Sequence, residues 1–327
     1  MERSRITGTG SAVPSRILTN ADLEQMVETS DEWIMSRTGI SERRICSDGE
    51  DSATLADAAS VRALEAAALD PMDIDLILVS TITTALPFPA TACLLQDSLN
   101  ARRAAAMDIS AACSGFIYGL SVADNFIRTG MYRTVLLVGS EALSTLTDWT
   151  DRNTCVLFGD GAGAVVLQGQ RGERGVLSTH LYSDGSQSEL LMAPGGGSRI
   201  PMTPEVLEQR LNKIKMPNGN EVFRTAVRYM EDACIAALKR NRLETSDVNV
   251  LIPHQANARI IQALVHRLSL PPEKIVANIG RYGNTSAASI PLALDEAVRS
   301  GRVHEGDLVL LVGFGGGLTW GSAAIRW

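Results

Sequence analysis

Three polar residues stand at the ends of apolar runs, where a fold can present them to a substrate. Cys113 follows Met107-Asp-Ile-Ser-Ala-Ala and precedes Ser-Gly-Phe-Ile, so a short strand gives way to a turn and a helix opens near the cysteine. A thiol there faces the positive end of the helix dipole and free backbone N–H groups. Both favour the thiolate, which is the nucleophilic form. His254, in Ile252-Pro-His-Gln-Ala-Asn257, sits just past a strand that Pro253 ends. A neutral imidazole donates one hydrogen bond, which suits a developing oxyanion. Asn284, in Arg281-Tyr-Gly-Asn-Thr-Ser, opens a second helix. Alone, its Gly-Asn pair would read as a turn with an N-cap. An isolated cysteine is most often a buried small hydrophobe, and Cys46, Cys93, Cys155 and Cys234 keep that reading.

The elements that position these residues come in pairs. Cys113, Arg128 and Gly130 recur as Asn284, Arg299 and Gly301, at a constant offset of 171 residues. Each segment reads as a helix stopped by glycine. Each is followed by a short apolar run ending in glycine, Val135–Gly139 and Leu308–Gly313. Asp73–Ser80 likewise matches Asp247–His254, both preceded by alanine-rich helical stretches at 53–68 and 222–239. Phe158-Gly-Asp-Gly and Phe314-Gly-Gly-Gly form a third pair, a glycine-rich turn before an apolar strand. The chain therefore divides into two α/β halves, 1–170 and 171–327. Continuous apolar strands between helices imply mainly parallel sheets covered on both faces. Cys113 and Asn284 become equivalent points that meet, with His254, between the halves.

Composition narrows the class. At 327 residues with 45% apolar and 20% charged residues, the chain has the makings of an ordinary globular core. A net charge of −7 argues against general nucleic-acid binding. Neither a signal peptide nor an uninterrupted apolar stretch of about 18 residues is visible, so no membrane span is expected. Five cysteines at scattered spacing, without a CxxC pair, suit neither a disulfide framework nor a metal site. The expectation is a reduced, cytoplasmic protein.

Five motifs now stand in order: Asp31-Glu-Trp-Ile-Met-Ser-Arg-Thr-Gly-Ile40, Ala-Ala-Cys113-Ser-Gly-Phe, Pro-His254-Gln-Ala-Asn257, Gly-Asn284-Thr-Ser-Ala and Gly313-Phe-Gly-Gly-Gly-Leu-Thr-Trp-Gly321. Together, along essentially the whole chain, they resemble the β-ketoacyl-acyl carrier protein synthase III family. A papain-like Cys-His-Asn protease is a poor alternative, because the Cys-Gly-Ser-Cys-Trp context and secretory disulfides are missing.

The resemblance implies a thiolase-like fold, its pseudo-duplicated halves forming a five-layered α-β-α-β-α sandwich. It implies a condensing acyltransferase that initiates type II fatty acid synthesis. Cys113 would take an acyl group from acyl-CoA. Malonyl-acyl carrier protein would then lose carbon dioxide, with His254 and Asn284 as oxyanion donors. The backbone N–H groups of Cys113 and Gly316 would hold the acyl thioester oxygen. Matching positions for CoA are Thr29, Trp33, Arg37, Arg152, Gly219 and Asn257. Phe88 would close the acyl pocket of the neighbouring subunit in a homodimer. Arg259 and Arg224, with Arg228, Lys239 and Arg240, would form a basic entrance for the acidic carrier. Neither a metal nor another cofactor is implied. The alternative is a related ketosynthase of secondary metabolism or of long-chain acyl condensation with the same three residues.

Overall fold

Leu76–Ser80, Thr134–Ala142, Val250–Pro253 and Leu308–Gly315 are buried along their whole length, and each is a strand in the computed structural model, which describes residues 2–327. The first two and the last lie inside two sheets, and Val250–Pro253 is the end strand of the second. The first runs Glu2–Ala12, Asp160–Arg171, Thr134–Ala142, Leu76–Ser80, Ala105–Ile109 across its width. The second runs Gly175–Ser183, Thr319–Arg326, Leu308–Gly315, Val250–Pro253. Position for position, the second repeats the first four strands of the first. The fifth survives in the second half as a single parallel bridge, Leu251 to Ile275. The first sheet's strands all end by Arg171 and the second sheet's begin at Gly175.

Strand direction departs from the sequence expectation. Leu76–Ser80 is parallel to both neighbours, and Leu308–Gly315 is parallel to Val250–Pro253. The remaining pairings in both sheets are antiparallel. The sheets are mixed rather than mainly parallel. Helices cover both faces, so the strands inside the sheets are largely apolar, and such a run carries no information about direction.

Helices Ser52–Ala67 and Thr91–Ser98 lie outside the first sheet, and Gly219–Arg240 and Ala258–Leu268 outside the second. Asp51, Asn218 and Asn257 cap three of them by accepting N–H bonds in the first turn. Gly115–Arg128 and Ser289–Arg299 form the central layer, packed between the sheets. Their apolar residues, including Phe116, Ile117, Leu120, Ile290 and Leu294, share one core with strands of both halves. Each of these helices is followed by a glycine in the left-handed region, Gly130 at φ 74° and Gly301 at φ 69°. Polar ties cross the halves as well. Asp295 accepts the hydroxyls of Thr9 at 2.7 Å and Ser11 at 2.6 Å.

Candidate active site

The turns that start the two central helices are pressed against strands of the opposite half. A Cβ on Gly139 would come within 2.3 Å of the Ala287 carbonyl, and one on Gly315 within 2.5 Å of the Cys113 nitrogen. Only glycine permits these approaches. They bring the 111–115 and 284–288 turns together with the Gly315–Gly317 turn.

Cys113 sits in the 3-10 turn Ala112–Ser114 that feeds the Gly115–Arg128 helix, and it is buried. Burial pushes its thiol up to about 12; the Ser286 hydroxyl draws it down and the Glu141 carboxyl raises it. The sequence reading favoured the thiolate. In the folded chain, loss of water acts the other way and favours the proton on the resting sulfur.

His254 is 1% exposed, and burial lowers it to about 3, so the ring is neutral at physiological pH. Its backbone N–H donates to Val312 O at 2.8 Å. Ring Nδ1 lies 2.6 Å from Ser289 Oγ, which also accepts the Gln255 N–H at 3.3 Å. One of the two tautomers pairs every hydrogen on the Ser289 side and leaves only the Nε2–H free for a substrate. Ser289 accepts from Gln255 and donates to Nδ1, so the imidazole proton stays on Nε2.

Asn284 is fixed from three sides. Its N–H donates to Leu157 O at 2.8 Å, its carbonyl accepts from Gly159 N at 3.1 Å, and its side-chain Oδ1 accepts from Ser286 N at 2.9 Å. The amide orientation is thereby set, and among the described residues Nδ2 has no protein partner. Beneath this segment the fully buried Arg43 donates to the carbonyls of Leu18 and Val156 and to Asn20 Oδ1.

Cys113 stands at the junction of two chambers. The inner one, about 400 Å³, is apolar and lined by Ile82, Leu143, Leu146, Ile214 and Leu191. The outer one, about 420 Å³, runs to the surface past His254, Asn284, Phe223, Gly219 and Trp33. Cys113, Phe158 and Leu191 border both. Gly316 lines the inner chamber beside the thiol.

Trp33 lies at the mouth, half-buried, with Arg37 4.9 Å and Arg152 5.2 Å from its ring centroid. Thr29 and Arg152 do not line the tunnel. Arg152 reaches it only through Trp33 and also donates to Glu28 O, while the Thr29 hydroxyl is buried without a partner. Asn257 lines the tunnel, caps its own helix through Arg259 N–H and donates to Arg37 O. Gly219 is the first residue of its helix.

Arg259 borders the tunnel mouth, its guanidinium 5.7 Å from the Phe223 ring. Arg224 and Arg228 line an adjoining open cleft with His266 and Arg267. Lys239 and Arg240 do not belong to this entrance. They occupy the last turn of the helix that starts at Gly219, roughly 30 Å away at 1.5 Å per residue. Phe88 is 85% exposed and lines neither chamber. Sequence reasoning missed Ser286, Ser289 and Glu141. The serines lie within the repeated Asn-Thr-Ser-Ala-Ala-Ser helix start, where they read as small packing residues.

Comparison with known proteins settles the family. Residues 107–185 match the 3-oxoacyl-(acyl-carrier-protein) synthase III family, and residues 238–327 match its C-terminal part. A protein of Caldanaerobacter subterraneus subsp. tengcongensis, named beta-ketoacyl-(acyl-carrier-protein) synthase III, is 53% identical over 98% of this chain and 97% of its own length. One from Roseiflexus castenholzii, of the same name, is 55% identical over 98% and 97%. The chain belongs to the 3-oxoacyl-(acyl-carrier-protein) synthase III family.

Solved structures of the family agree. The Aquifex aeolicus synthase III superposes with a TM-score of 0.93 at 48% identity, covering 99% of this chain and 100% of that one. A priming β-ketosynthase of the R1128 polyketide pathway gives 0.92 at 37%, covering 99% and 96%. The fold is thus the one that the motifs implied, two related halves in five layers. Among the described residues, no group of three or more His, Cys, Asp or Glu side chains is gathered to hold a metal, and no helix is long and apolar enough to cross a membrane.

Proposed function

We propose that this chain carries out the decarboxylative condensation of an acyl-CoA with malonyl-acyl carrier protein, giving the β-ketoacyl-carrier protein that starts type II fatty acid synthesis. The observation that carries the reading is the placement of a buried thiol between an apolar chamber and a surface tunnel, with two oriented neutral donors in the tunnel.

The steps follow from that geometry. Pantetheine lies in the outer chamber and its thioester reaches Cys113. The acyl chain enters the inner chamber. Negative charge on the thioester oxygen is received by the N–H groups of Cys113 and Gly316, which Gly315 allows to stand close together. Cys113 takes the acyl group and CoA leaves. Malonyl-carrier follows along the same tunnel. As carbon dioxide departs, charge moves onto its thioester oxygen, where His254 Nε2–H and Asn284 Nδ2–H donate. The resulting carbanion attacks the acyl-cysteine. Loss of carbon dioxide drives bond formation, so no metal or redox cofactor takes part.

Trp33, with two guanidiniums near its ring, suits the adenine of CoA, with Arg37 near its phosphates. Arg259 and Arg224 suit the acidic carrier. Support for a homodimer comes from Phe88, Leu86 (45% exposed) and Met107 (39% exposed) near the free edge of strand Ala105–Ile109. Five unpaired cysteines fit a cytoplasmic location.

The test is a panel of labelled acyl-CoAs offered to the protein and to Cys113→Ala, with and without malonyl-carrier protein. Acylation of the wild type alone, followed by β-ketoacyl-carrier release, supports the reading. Turnover only with malonyl-CoA or with a second acyl-CoA would overturn it.

A further inference from the structure

The arrangement around Cys113 leaves a proton without a destination. The resting sulfur carries its hydrogen, and attack on a thioester requires its removal. His254 cannot accept it: Nδ1 already receives the Ser289 hydroxyl, and Nε2 bears the ring proton. Asn284 is a donor. The base must lie elsewhere.

Glu141 is fully buried at the end of strand Thr134–Ala142, two residues past the Gly139 contact with Ala287. Its carboxyl receives the Ile82 N–H at 3.1 Å and the hydroxyls of Thr81 at 3.2 Å and Thr83 at 2.6 Å. No cation is among these partners. A carboxyl held without one in the interior is costly. The turn that carries Ser286 packs on both the Cys113 turn and the strand that ends in Glu141. Ser286 is 1% exposed and lines the inner chamber with Cys113, and its hydroxyl makes no hydrogen bond in the resting structure, so it is free to turn to either side. That hydroxyl nonetheless acts on both neighbours, lowering the thiol and the carboxyl alike.

We propose that Glu141 is the proton acceptor for Cys113, reached through the Ser286 hydroxyl. This rests on the reading above that Cys113 accepts the acyl group from acyl-CoA. In the first half-reaction the Cys113 S–H bond breaks and its proton passes to Ser286 Oγ, while the Ser286 proton passes to Glu141. The sulfur pair forms the new C–S bond. CoA leaves as its thiolate and takes a proton from water. In the second half-reaction the carbanion displaces Cys113 sulfur as thiolate, and the proton returns from Glu141 by the same path. Glu141 thus stores one proton for the lifetime of the acyl-enzyme.

The energetics are consistent with this. Burial raises the Glu141 carboxyl to about 7, opposed by hydrogen bonds from Thr83, Ile82, Ser286 and Thr81. Facing it are Thr81, Ile82 and Thr83 from one loop and Ser286 and Cys113 from the two helix-start turns. Among these only the thiol titrates. The carboxylate form, which can accept, therefore grows as pH rises through about 7.

The experiment is rapid-quench acylation of Cys113 by the best acyl-CoA, read by protein mass from pH 5.5 to 9. Wild type should rise with a midpoint near 7. Glu141→Gln should lose that midpoint and acylate about a hundredfold more slowly at pH 8. Ser286→Ala should do the same, and Glu141→Asp should recover part of the rate with a midpoint again present. A Glu141→Gln variant that keeps the wild-type profile overturns the proposal, whether or not it is slower. So does Ser286→Ala at the wild-type rate. If Glu141→Gln does not fold, Ser286→Ala and the wild-type profile decide, since a wild type without the midpoint is also a refutation. Failure of the underlying reading looks different: no acyl-CoA would then label wild-type Cys113 at any pH.

Discussion

Replacing Ser289 by alanine tests the tautomer argument directly. The serine hydroxyl is buried, accepts the Gln255 N–H and donates to His254 Nδ1 at 2.6 Å. Without it, Nδ1 loses its donor inside the protein, and nothing holds the ring proton on Nε2. A buried partner left unsatisfied costs about 1–3 kcal/mol. Transferred to the tautomer equilibrium, that is about 5- to 150-fold in the population able to donate into the tunnel. The loss should fall on the decarboxylation step, where the Nε2–H is used, and far less on acylation. Single-turnover measurement separates the two: loading of Cys113 by acyl-CoA, then consumption of the acyl-enzyme by malonyl-carrier. Ring 15N NMR of His254 reads the tautomer. Equal slowing of both half-reactions, with the Nε2–H tautomer retained, would refute the reasoning.

Gly315→Ala should slow acylation about a hundredfold, the worth of one oxyanion donor, because its Cβ would sit 2.5 Å from the Cys113 nitrogen and force the two backbone donors apart; wild-type acylation in a folded variant would exclude that role. Trp33→Ala should raise KM for acyl-CoA about tenfold with kcat changed little, as the ring that two guanidiniums flank at the mouth is lost; steady-state kinetics with acyl-CoA varied checks it. Asp148 offers a pH test. Burial would raise its carboxyl, but hydrogen bonds from Thr150 and the nearby Lys215 outweigh it and hold it below its ordinary 3.8. It also grips Arg210 and Lys215, flanking Ile214 of the inner chamber. A depressed carboxylate contributes stability above its unfolded value and loses it as pH falls through the folded one. Melting temperature should thus drop on acidification below about 4, and Asp148→Asn should flatten part of that slope.

Some of this was readable in the sequence because it repeats. Cys113 and Asn284 share an offset with their helices and glycine stops, which places both turns at one junction. His254 was marked by the proline-ended strand before it. Strand direction was hidden, since a strand buried on both faces is apolar whichever way it runs. The thiol's protonation was misread for a related reason. The helix start is visible in sequence, but the walls that exclude water come from Leu143, Ile214 and Leu191, brought in from distant segments. Glu141 was invisible because Gly-Ser-Glu-Ala after a strand looks like the beginning of a loop. Its burial depends on the Thr81–Thr83 loop, about 60 residues earlier. Lys239 and Arg240 share the entrance's charge and lie near Gly219 in sequence, but the length of one helix separates them from it.

The interleaving of the halves also governs how the chain is made. Ser114 bonds to Thr319, and Thr9 to Asp295, 205 and 286 residues apart. The part of the first sheet's inner face on which Ser289–Arg299 packs, and the side of its own central helix that meets the second sheet, have no cover until the second half exists. At translation rates of about 5–20 residues per second, the last 156 residues of the 327 take roughly 8 to 30 seconds to follow residue 171. For that interval a ribosome carries a finished but uncovered half, with sticky surface and no functional site. Such a nascent chain is the form of this protein most exposed to aggregation and most in need of a chaperone.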